Sequence, residues 1–275
     1  MDVPAFYERS GLNVETYDER TSSDAFGVLA GDVEIYLGLA ERTGGPILDL
    51  GGGTGRVAWP LADAGYEVTS LDLSEGMHAA PRLKASQHPA VAHRVSFVRG
   101  DMTSFELAEQ FGLVVIPFRA FQALLNPRQQ RECLAAIMRH IRPGGLLAFH
   151  VFDPLLEYLT PEASVGPNPE RASVRHPTTG NLVRVNAVER HNDPLRQVME
   201  ERWEFEEVDL AGAVVRRESE RLTMRWTYRY EMRYLLELTG FKVDGEFSDF
   251  RGSPPAYGRE QVWVVSRQPD KTLPA

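Results

Sequence analysis

Residues 47–56 read ILDLGGGTGR, and this segment constrains the fold more than any other part of the chain. An apolar run that ends in an acid and several glycines is typical of a parallel strand that turns sharply into a helix. Glycine lets the backbone turn tightly and approach a ligand at the helix N-terminus, where N–H groups lack partners. The dinucleotide-binding pattern G-x-G-x-x-G fails, because Arg56 occupies the position of its last glycine.

The order of the acid and the glycines fits a different pattern. Asp49 to Gly55 read acid-x-G-x-G-x-G, which resembles the first motif of the class I S-adenosylmethionine-dependent methyltransferases. The resemblance implies S-adenosylmethionine as the cofactor and assigns Asp49, Gly51 and Gly53 to its binding. The acids near the loop agree with this cofactor, because they attract its ammonium and sulfonium groups, whereas they would repel the pyrophosphate of a dinucleotide.

A second predicted strand, residues 66–72, ends in Asp72, about 20 residues after the glycine loop. In folds of this kind, a carboxylate at that distance accepts hydrogen bonds from ribose hydroxyls. The residues that follow, LSEGM, resemble the D-x-S-x-x-M segment of the family. The resemblance places Leu73 and Met77 against the adenine, although Met77 could instead fill the core. Ser74 is expected to cap the next helix.

Two further strand ends are predicted to reach the same edge of the sheet. Residues 95–99 form a strand that is followed by Asp101 and Met102. The resemblance assigns Asp101 to the adenine amino group with Met102 beside it, while the residues alone leave a turn or cap role for Asp101 open. The apolar run 113–118 is typical of a buried strand. Its Pro117 lies where methyltransferases leave the sheet beside the transferred methyl group.

Strand-like and helix-like segments alternate along residues 46–152. This alternation indicates crossover connections and a parallel sheet, and therefore an α/β fold. Two late strands, at 241–247 and 261–266, complete a Rossmann-like, doubly wound sheet of seven strands. We predict a donor-binding core made of residues 1–153 and 228–268.

The core is interrupted after its fifth strand by residues 154–227, an inserted lid and antiparallel sheet. Residues 154–180 hold five prolines and few periodic apolar positions, so we expect an irregular connection there. Three alternating segments, 182–188, 198–205 and 214–228, predict a three-stranded β-meander. Because an insertion at this point emerges at the ligand-binding edge, it is expected to cover the acceptor site.

One face of the last predicted strand of the insert carries four large apolar residues. Alternate residues of a strand point to the same side, which groups Leu222, Met224, Trp226 and Tyr228. Two interpretations of this face are open: it packs against the core, or it lines the acceptor pocket.

The candidates for catalysis lie at the same edge of the sheet. Tyr17 belongs to a Y-D segment that resembles one that closes over the donor in this family, and packing of an amino-terminal helix is an equally open interpretation. Residues 118–124 resemble a stretch of small-molecule N-methyltransferases in which a histidine often precedes the leucine, but this chain has Ala123 there. In this stretch, Gln122 is expected to contact the acceptor. Asp153, at a strand end on the ligand side, is the preferred acidic contact for an acceptor amine, and a cap or turn role before Pro154 is also open.

Arg119 and His150 are the remaining polar candidates. Arg119 either contacts the acceptor or is solvated. Strand alternation places His150 under a helix, which favours a core imidazole over a base. Methyl transfer mainly requires that nucleophile, methyl and sulfur be aligned, and a base is needed only if the acceptor must lose a proton.

Composition limits the partners. A net charge of −9 and a pI near 5.4 argue against broad binding to nucleic-acid phosphates. The single cysteine, Cys133, excludes an intrachain disulfide and is expected to pack in a helix. No signal segment, no apolar stretch of the ~20 residues that cross a bilayer, and no metal-ligand spacing are seen. We expect a cytoplasmic protein that binds a small-molecule acceptor without nucleic-acid or membrane partners, and a homodimer is left open.

The sequence thus predicts a methyltransferase that transfers a methyl group from S-adenosylmethionine to a nitrogen or oxygen atom of a small molecule. Two alternatives belong to other functional classes. One is a noncatalytic protein that binds S-adenosylmethionine or S-adenosylhomocysteine, which the missing histidine permits. The other is a nicotinamide-dependent oxidoreductase, against which Arg56 and the additional acids argue.

Overall fold

Parallel strands form the centre of the protein. The computed structural model describes residues 3–22, 29–163 and 170–268. The first five strands are Ile47–Leu50 (β1), Val68–Asp72 (β2), Val95–Arg99 (β3), Phe111–Ile116 (β4) and Ile141–Phe152 (β5). Every residue of β1 and β4 is buried, because helices cover both faces of the sheet at its centre.

A second sheet of four antiparallel strands follows β5. Its strands are Glu170–Arg175 (β6), Leu182–Asp193 (β7), Val198–Val208 (β8) and Val214–Arg225 (β9). The prediction of three strands is therefore wrong by one.

The additional strand is β6, in the stretch expected to be irregular. Its only apolar alternation is Ala172 and Val174, which is too short a pattern to stand out among prolines, and pairing with β7 stabilises it. Pro167 and Pro169, which contributed to that expectation, lie outside the described residues.

The chain then returns to the first sheet with Phe241–Phe247 (β10) and Glu260–Arg267 (β11). Strand β11 runs antiparallel to both β5 and β10. The strand order is β10-β11-β5-β4-β1-β2-β3, and the predicted Rossmann-like sheet of seven strands with an inserted antiparallel sheet is confirmed. The order reverses between β1 and β4, so a crevice opens at the carboxyl ends of these strands.

Seven α-helices are present among the described residues: Leu12–Glu15 (α1), Tyr17–Ser22 (α2), Asp32–Thr43 (α3), Ala58–Asp63 (α4), Glu75–Lys84 (α5), Pro127–His140 (α6) and Arg229–Leu238 (α7). Apolar residues of α3 and α4 pack on one face of the seven-stranded sheet, and those of α6 and α7 pack on the other. In the described part of the chain, no helix is long and apolar enough to cross a membrane.

Local signals correctly located α6. The Asn126 side chain accepts a hydrogen bond from the backbone N–H of Gln129 (3.0 Å), and Pro127 occupies the first helical position. Cys133 is fully buried with a free thiol, as its helical context indicates. Helix α4 begins at Ala58, later than the expected residue 55, because residues 51–57 form turns around the glycines.

Arg225 joins the inserted sheet to the core. Its guanidinium, almost fully buried, donates to the side chains of Gln130 (3.1 Å), Gln197 (2.9 Å) and Glu231 (2.7 Å). Strand β9 ends at this residue, so the predicted shared face stops at Met224. Trp226 lies beyond the strand and is buried, whereas Tyr228 caps α7 and is 42% exposed.

The amino-terminal segment packs on the inserted sheet. The Phe6 N–H donates to the Arg221 carbonyl (2.9 Å), and the Phe6 ring lies 5.2 Å from the Trp203 ring. Leu12 belongs to the same apolar cluster. Residues assigned to the core by sequence are therefore also part of the packing of the insert, and the predicted division at residues 153 and 228 stays a prediction.

Candidate active site

A large cavity lies between the two sheets, at the carboxyl ends of β1, β2 and β4. Its volume is about 1860 Å³. Three parts of the chain line it: the amino-terminal segment, the loops after the parallel strands, and the inner face of the inserted sheet. The cavity therefore occupies the position at which doubly wound folds bind their ligands.

The glycine loop after β1 forms one wall. Gly51 and Gly53 have φ angles of +72° and +55°, in the left-handed region that glycine adopts without strain. A Cβ atom at Gly51 would lie 2.7 Å from the Cβ atom of Ala120, so only glycine fits there. The hydroxyl of Thr54 donates to the Asp18 carboxylate (2.7 Å), which attaches α2 to the loop.

Asp72 lies at the end of β2, against this loop. Its Oδ2 accepts a hydrogen bond from the Gly53 N–H (2.9 Å), and its Oδ1 accepts one from the Ser74 N–H (2.7 Å). Ser74 caps α5 as expected, since its hydroxyl oxygen accepts from the Met77 N–H (3.1 Å). Asp72 is therefore held at the cavity wall, and its carboxylate oxygens retain lone pairs for further donors.

The other predicted donor contacts line the same cavity but differ in exposure. Leu73 is 63% exposed, which suits a side chain that an adenine would cover. Met77 is only 2% exposed and packs against Tyr17, in agreement with the alternative of core filling. Asp101 is exposed, and its Oδ1 accepts two bonds from Thr103. Met102 is half-buried beside Gly51. The roles of these residues stay predictions.

Asp49 lies beneath the loop and is fully buried. Its Oδ2 accepts a long hydrogen bond from Ser70 (3.4 Å), and its Oδ1 has no hydrogen-bond partner among the described residues. Burial raises the pKa of Asp49 to about 7, and the neighbouring Asp72 acts in the same direction. A cationic group bound at the loop would favour the ionised carboxylate.

We expect binding of the donor product S-adenosylhomocysteine to release up to about one proton at pH 6 and almost none at pH 8. The free carboxyl of Asp49 is mostly protonated below pH 7, and the ligand ammonium favours its ionisation, so affinity should rise with pH up to about 7. Calorimetric titration in two buffers with different ionisation enthalpies measures the protons released. The same release from Asp49→Asn would contradict the assignment to Asp49.

The loop after β4 has an unusual backbone. Phe118 and Arg119 both have positive φ angles, +47° and +62°, which cost free energy in residues other than glycine and recur at functional sites. Pro117, Phe118 and Arg119 all line the cavity. The Arg119 guanidinium pairs with Glu260 and lies 5.6 Å from the centre of the Phe152 ring, so the ion pair keeps it from being simply solvated.

Tyr17 also lines the cavity, from the start of α2. Its ring lies 5.7 Å from the Tyr7 ring and 6.0 Å from the Phe118 ring. Burial raises the pKa of Tyr17 to about 12, against the opposing effect of the Arg56 guanidinium. The hydroxyl is therefore protonated at neutral pH and can donate a hydrogen bond, but it does not act as a base in that state.

The structure separates the two predicted acceptor contacts. Gln122 is buried outside the cavity lining, where its Oε1 accepts from the Phe152 N–H (3.0 Å) and its Nε2 donates to the Arg225 carbonyl (3.3 Å). This geometry favours a positioning role. Asp153 lines the cavity, and Gly258 N–H (2.8 Å) and Gln261 Nε2 (2.9 Å) donate to its two oxygens.

His150 does not reach the cavity. It is fully buried in β5, neither ring nitrogen has a hydrogen-bond partner among the described residues, and its ring lies 4.8 Å from the Phe250 ring. Burial lowers its pKa well below the usual range. It is therefore a neutral core imidazole, as strand alternation indicates.

Polar residues of the inserted sheet also line the cavity, and local sequence patterns do not predict this. Arg190, Glu201 and Trp203 line the cavity, and Tyr7 reaches it from the amino-terminal segment. One signal was present: Glu201 shares a strand face with Trp203 and Phe205, so it is an acid beside large apolar residues. The pairing of Glu201 with Arg190 depends on strand register and could not be seen.

Comparisons with known proteins agree with this architecture. Residues 47–145 match the family model described as a methyltransferase domain. The chain is 26% identical over 271 residues to a cypemycin N-terminal methyltransferase from Streptomyces sp, covering 98% of this chain and 100% of the relative. Two putative bacterial methyltransferases are 35% and 36% identical, but the chain covers only 41% and 45% of their lengths.

Solved structures share the whole fold. The CcbJ methyltransferase of Streptomyces caelestis superimposes with a TM-score of 0.71 at 24% identity, covering 96% of this chain and 98% of that one. An amino pentose methyltransferase from Micromonospora echinaspora, solved with S-adenosylmethionine bound, gives a TM-score of 0.63 at 21% identity, covering 91% and 96%.

The strand order and the cavity define the fold of class I methyltransferases. Together with the domain match, they show that the chain is an S-adenosylmethionine-dependent methyltransferase of this class. This favours the predicted enzyme over an oxidoreductase or a noncatalytic binding protein. The residues fit the cofactor: Gly51 and Gly53 of the glycine loop line the cavity, and the carboxylate of Asp72 lies beside them.

Proposed function

We propose that the protein transfers the methyl group of S-adenosylmethionine to an amine nitrogen of a small molecule bound between the two sheets. The observation that carries this proposal is the lining of the cavity: among the described residues its only possible bases are carboxylates, which are weak bases, and tyrosines, and no histidine, lysine or cysteine lines it. A neutral amine has a free lone pair and attacks without prior loss of a proton, whereas a hydroxyl group needs a base.

The names of related proteins support nitrogen as the acceptor atom. The relative that spans the whole chain is named an N-terminal methyltransferase, and the Micromonospora neighbour is named an amino pentose methyltransferase. Both names describe the acceptors of the related proteins only. For this chain they support an amine on a compact molecule, while the cytoplasmic location, the absence of nucleic-acid partners and a homodimer stay predictions.

When bound, the cofactor supplies a methyl group that its sulfonium already activates. We assign the other tasks to residues of the chain. Asp72 and the Gly53 backbone hold the ribose side, and Tyr17 and Phe118 close the wall beside the methyl group and exclude water. Asp153 accepts a hydrogen bond from the amine N–H, which orients the nitrogen lone pair and raises the effective concentration of the nucleophile. After transfer, the additional proton on nitrogen passes to solvent.

The test is a transfer assay with isotopically labelled S-adenosylmethionine and two matched sets of acceptors, small primary amines and the corresponding alcohols. We expect label in the amines only, with activity that rises with pH as the amine loses its proton. Transfer to alcohols alone would contradict the choice of nitrogen. Binding of S-adenosylhomocysteine without transfer to either set would contradict the acceptor proposal and leave the donor site intact.

A further inference from the structure

The inserted sheet contributes two arginines and one glutamate to the wall of the cavity. Arg171 lies on β6, Arg190 on β7 and Glu201 on β8, and all three line the cavity. The Glu201 side chain is 3% exposed, and the side chains of Arg190 and Arg171 are 13% and 28% exposed. The cluster is therefore largely removed from bulk solvent.

Hydrogen bonds satisfy the carboxylate of Glu201. Its Oε1 accepts from Arg190 Nε (2.9 Å), Arg190 Nη2 (2.5 Å) and Arg171 Nη2 (3.1 Å), and its Oε2 accepts from Trp203 Nε1 (2.8 Å). One arginine would neutralise this acid, so the second leaves a net charge of +1 on the cluster. Charge that is not neutralised in a partly desolvated wall costs free energy unless a counter-ion binds.

The arginines retain hydrogen-bond donors. A guanidinium has five N–H groups in a planar fork. The Nε atom of Arg171 is buried and has no hydrogen-bond partner in the part of the chain that the structure describes. A buried N–H group without a hydrogen-bond partner is rare in folded proteins. It indicates that a bound ligand would supply the oxygen atom that accepts this hydrogen bond.

The charges along the cavity are separated. At the donor end, Asp72 and Asp101 face the cavity beside the ion pair of Glu75 with Arg99. At the inserted sheet, the two other charged lining residues, Glu170 and Arg221, cancel in formal charge, so the net charge is +1. By formal charge, the lining residues at the carboxyl ends of β2 and β3 are negative in sum, and those of the inserted sheet are positive.

We propose that Arg171 and Arg190, held in place by Glu201, bind an acidic group of the methyl acceptor, either a carboxylate or a phosphate. The planar forks of arginine suit both groups through paired hydrogen bonds. The acceptor is then an amine that also carries an acid, with its amine at the donor end and its acid on the inserted sheet. This inference rests on the proposed function, since it names the acceptor class for the same cavity.

Trp203 provides a reporter that does not depend on methyl transfer, because its indole N–H is bonded to Glu201. Inorganic phosphate and acetate are titrated separately, at constant ionic strength, into protein saturated with S-adenosylhomocysteine while tryptophan fluorescence is recorded. We expect a saturable change that is lost in Trp203→Phe. A response to phosphate alone supports a phosphate-bearing acceptor, and a response to acetate alone supports a carboxylate.

The variants are chosen to distinguish binding from folding. Arg190→Met and Arg171→Met should each weaken anion binding by about tenfold or more, as expected for loss of a hydrogen bond to a charged group. Arg190→Lys keeps the charge and should restore part of the affinity. Arg202→Met is the matched control, since Arg202 lies next to Glu201 on β8 but pairs with Glu189 and Glu204 and does not line the cavity.

Thermal unfolding and binding of S-adenosylhomocysteine are measured for every variant. If the wild-type protein binds S-adenosylhomocysteine and neither anion changes its fluorescence, the anion site is wrong and the proposed transfer reaction stands. An anion response that is equal in Arg190→Met, Arg171→Met and the wild type would also overturn the site. Failure of the wild type to bind S-adenosylhomocysteine would instead argue against the proposed function.

Discussion

Replacing Asp72 with alanine is expected to weaken binding of S-adenosylhomocysteine by about tenfold or more. The prediction assigns two ribose hydrogen bonds to this carboxylate, and a hydrogen bond to a charged group contributes on the order of 1.5–3 kcal/mol. The structure adds a second reason, because Asp72 also accepts bonds from Gly53 N–H and Ser74 N–H. Calorimetric titration of the purified variant measures the loss.

Two further variants separate the possible causes. Asp72→Asn keeps the shape and one carbonyl oxygen, so it should preserve the loop better than alanine while still losing the charge. Glu132→Ala removes an acid from the surface of α6, where it pairs with Arg128, and should leave binding unchanged. An affinity equal to wild type in folded Asp72→Ala would remove Asp72 from the donor site.

Gly51→Ala is expected to lower the free energy of unfolding by about 2–5 kcal/mol and to weaken donor binding. A non-glycine residue at φ +72° costs about 1–2 kcal/mol. The added methyl group would also lie 2.7 Å from the Ala120 Cβ, and such overpacking typically costs about 1–3 kcal/mol. Urea unfolding of the ligand-free variant measures the first effect, and calorimetry the second.

Gly65 is a matched control for backbone strain. It also has a positive φ, +97°, but a Cβ there would meet nothing within 4 Å. Gly65→Ala should therefore show only the cost of the backbone, about 1–2 kcal/mol, and normal donor binding. Adding Ala120→Gly to Gly51→Ala should recover the stability that Gly51→Ala loses beyond the loss in Gly65→Ala. No recovery would mean that close approach to Ala120 is not what requires glycine at position 51.

Much of the seven-stranded sheet could be predicted because its signals are local. The apolar runs of β1 and β4 are too continuous for half-exposed strands, and the Asn126 cap and Pro127 mark the start of α6 without reference to the rest of the chain. The donor-side loop follows from the same kind of signal, since glycines and an acid directly after an apolar strand are covalent neighbours.

Local signals were not sufficient to predict the inserted sheet or the contacts of Gln122. Strand β6 is stable through its pairing with β7, so its own residues carry too little signal to predict it. Gln122 was expected at the acceptor because of its position after β4. Its side chain is directed instead to the backbones of Phe152 and Arg225, more than 25 residues away along the chain. Long-range pairing decides both cases.

The sequence by itself determined the alternation of strands and helices in the parallel sheet and the glycine loop with its acids, because these depend on residue types at short spacings. The resemblance carried by that loop indicated the class of donor. Only the tertiary structure decided which side chains of the inserted sheet and the amino-terminal segment line the cavity. The register shift between Ala187 and Glu189 sets Arg190 opposite Glu201, and folding of the amino-terminal segment onto β9 brings Tyr7 to the cavity. Both depend on contacts between residues distant in sequence, and a strand displaced by one residue would turn the same side chains to the opposite face.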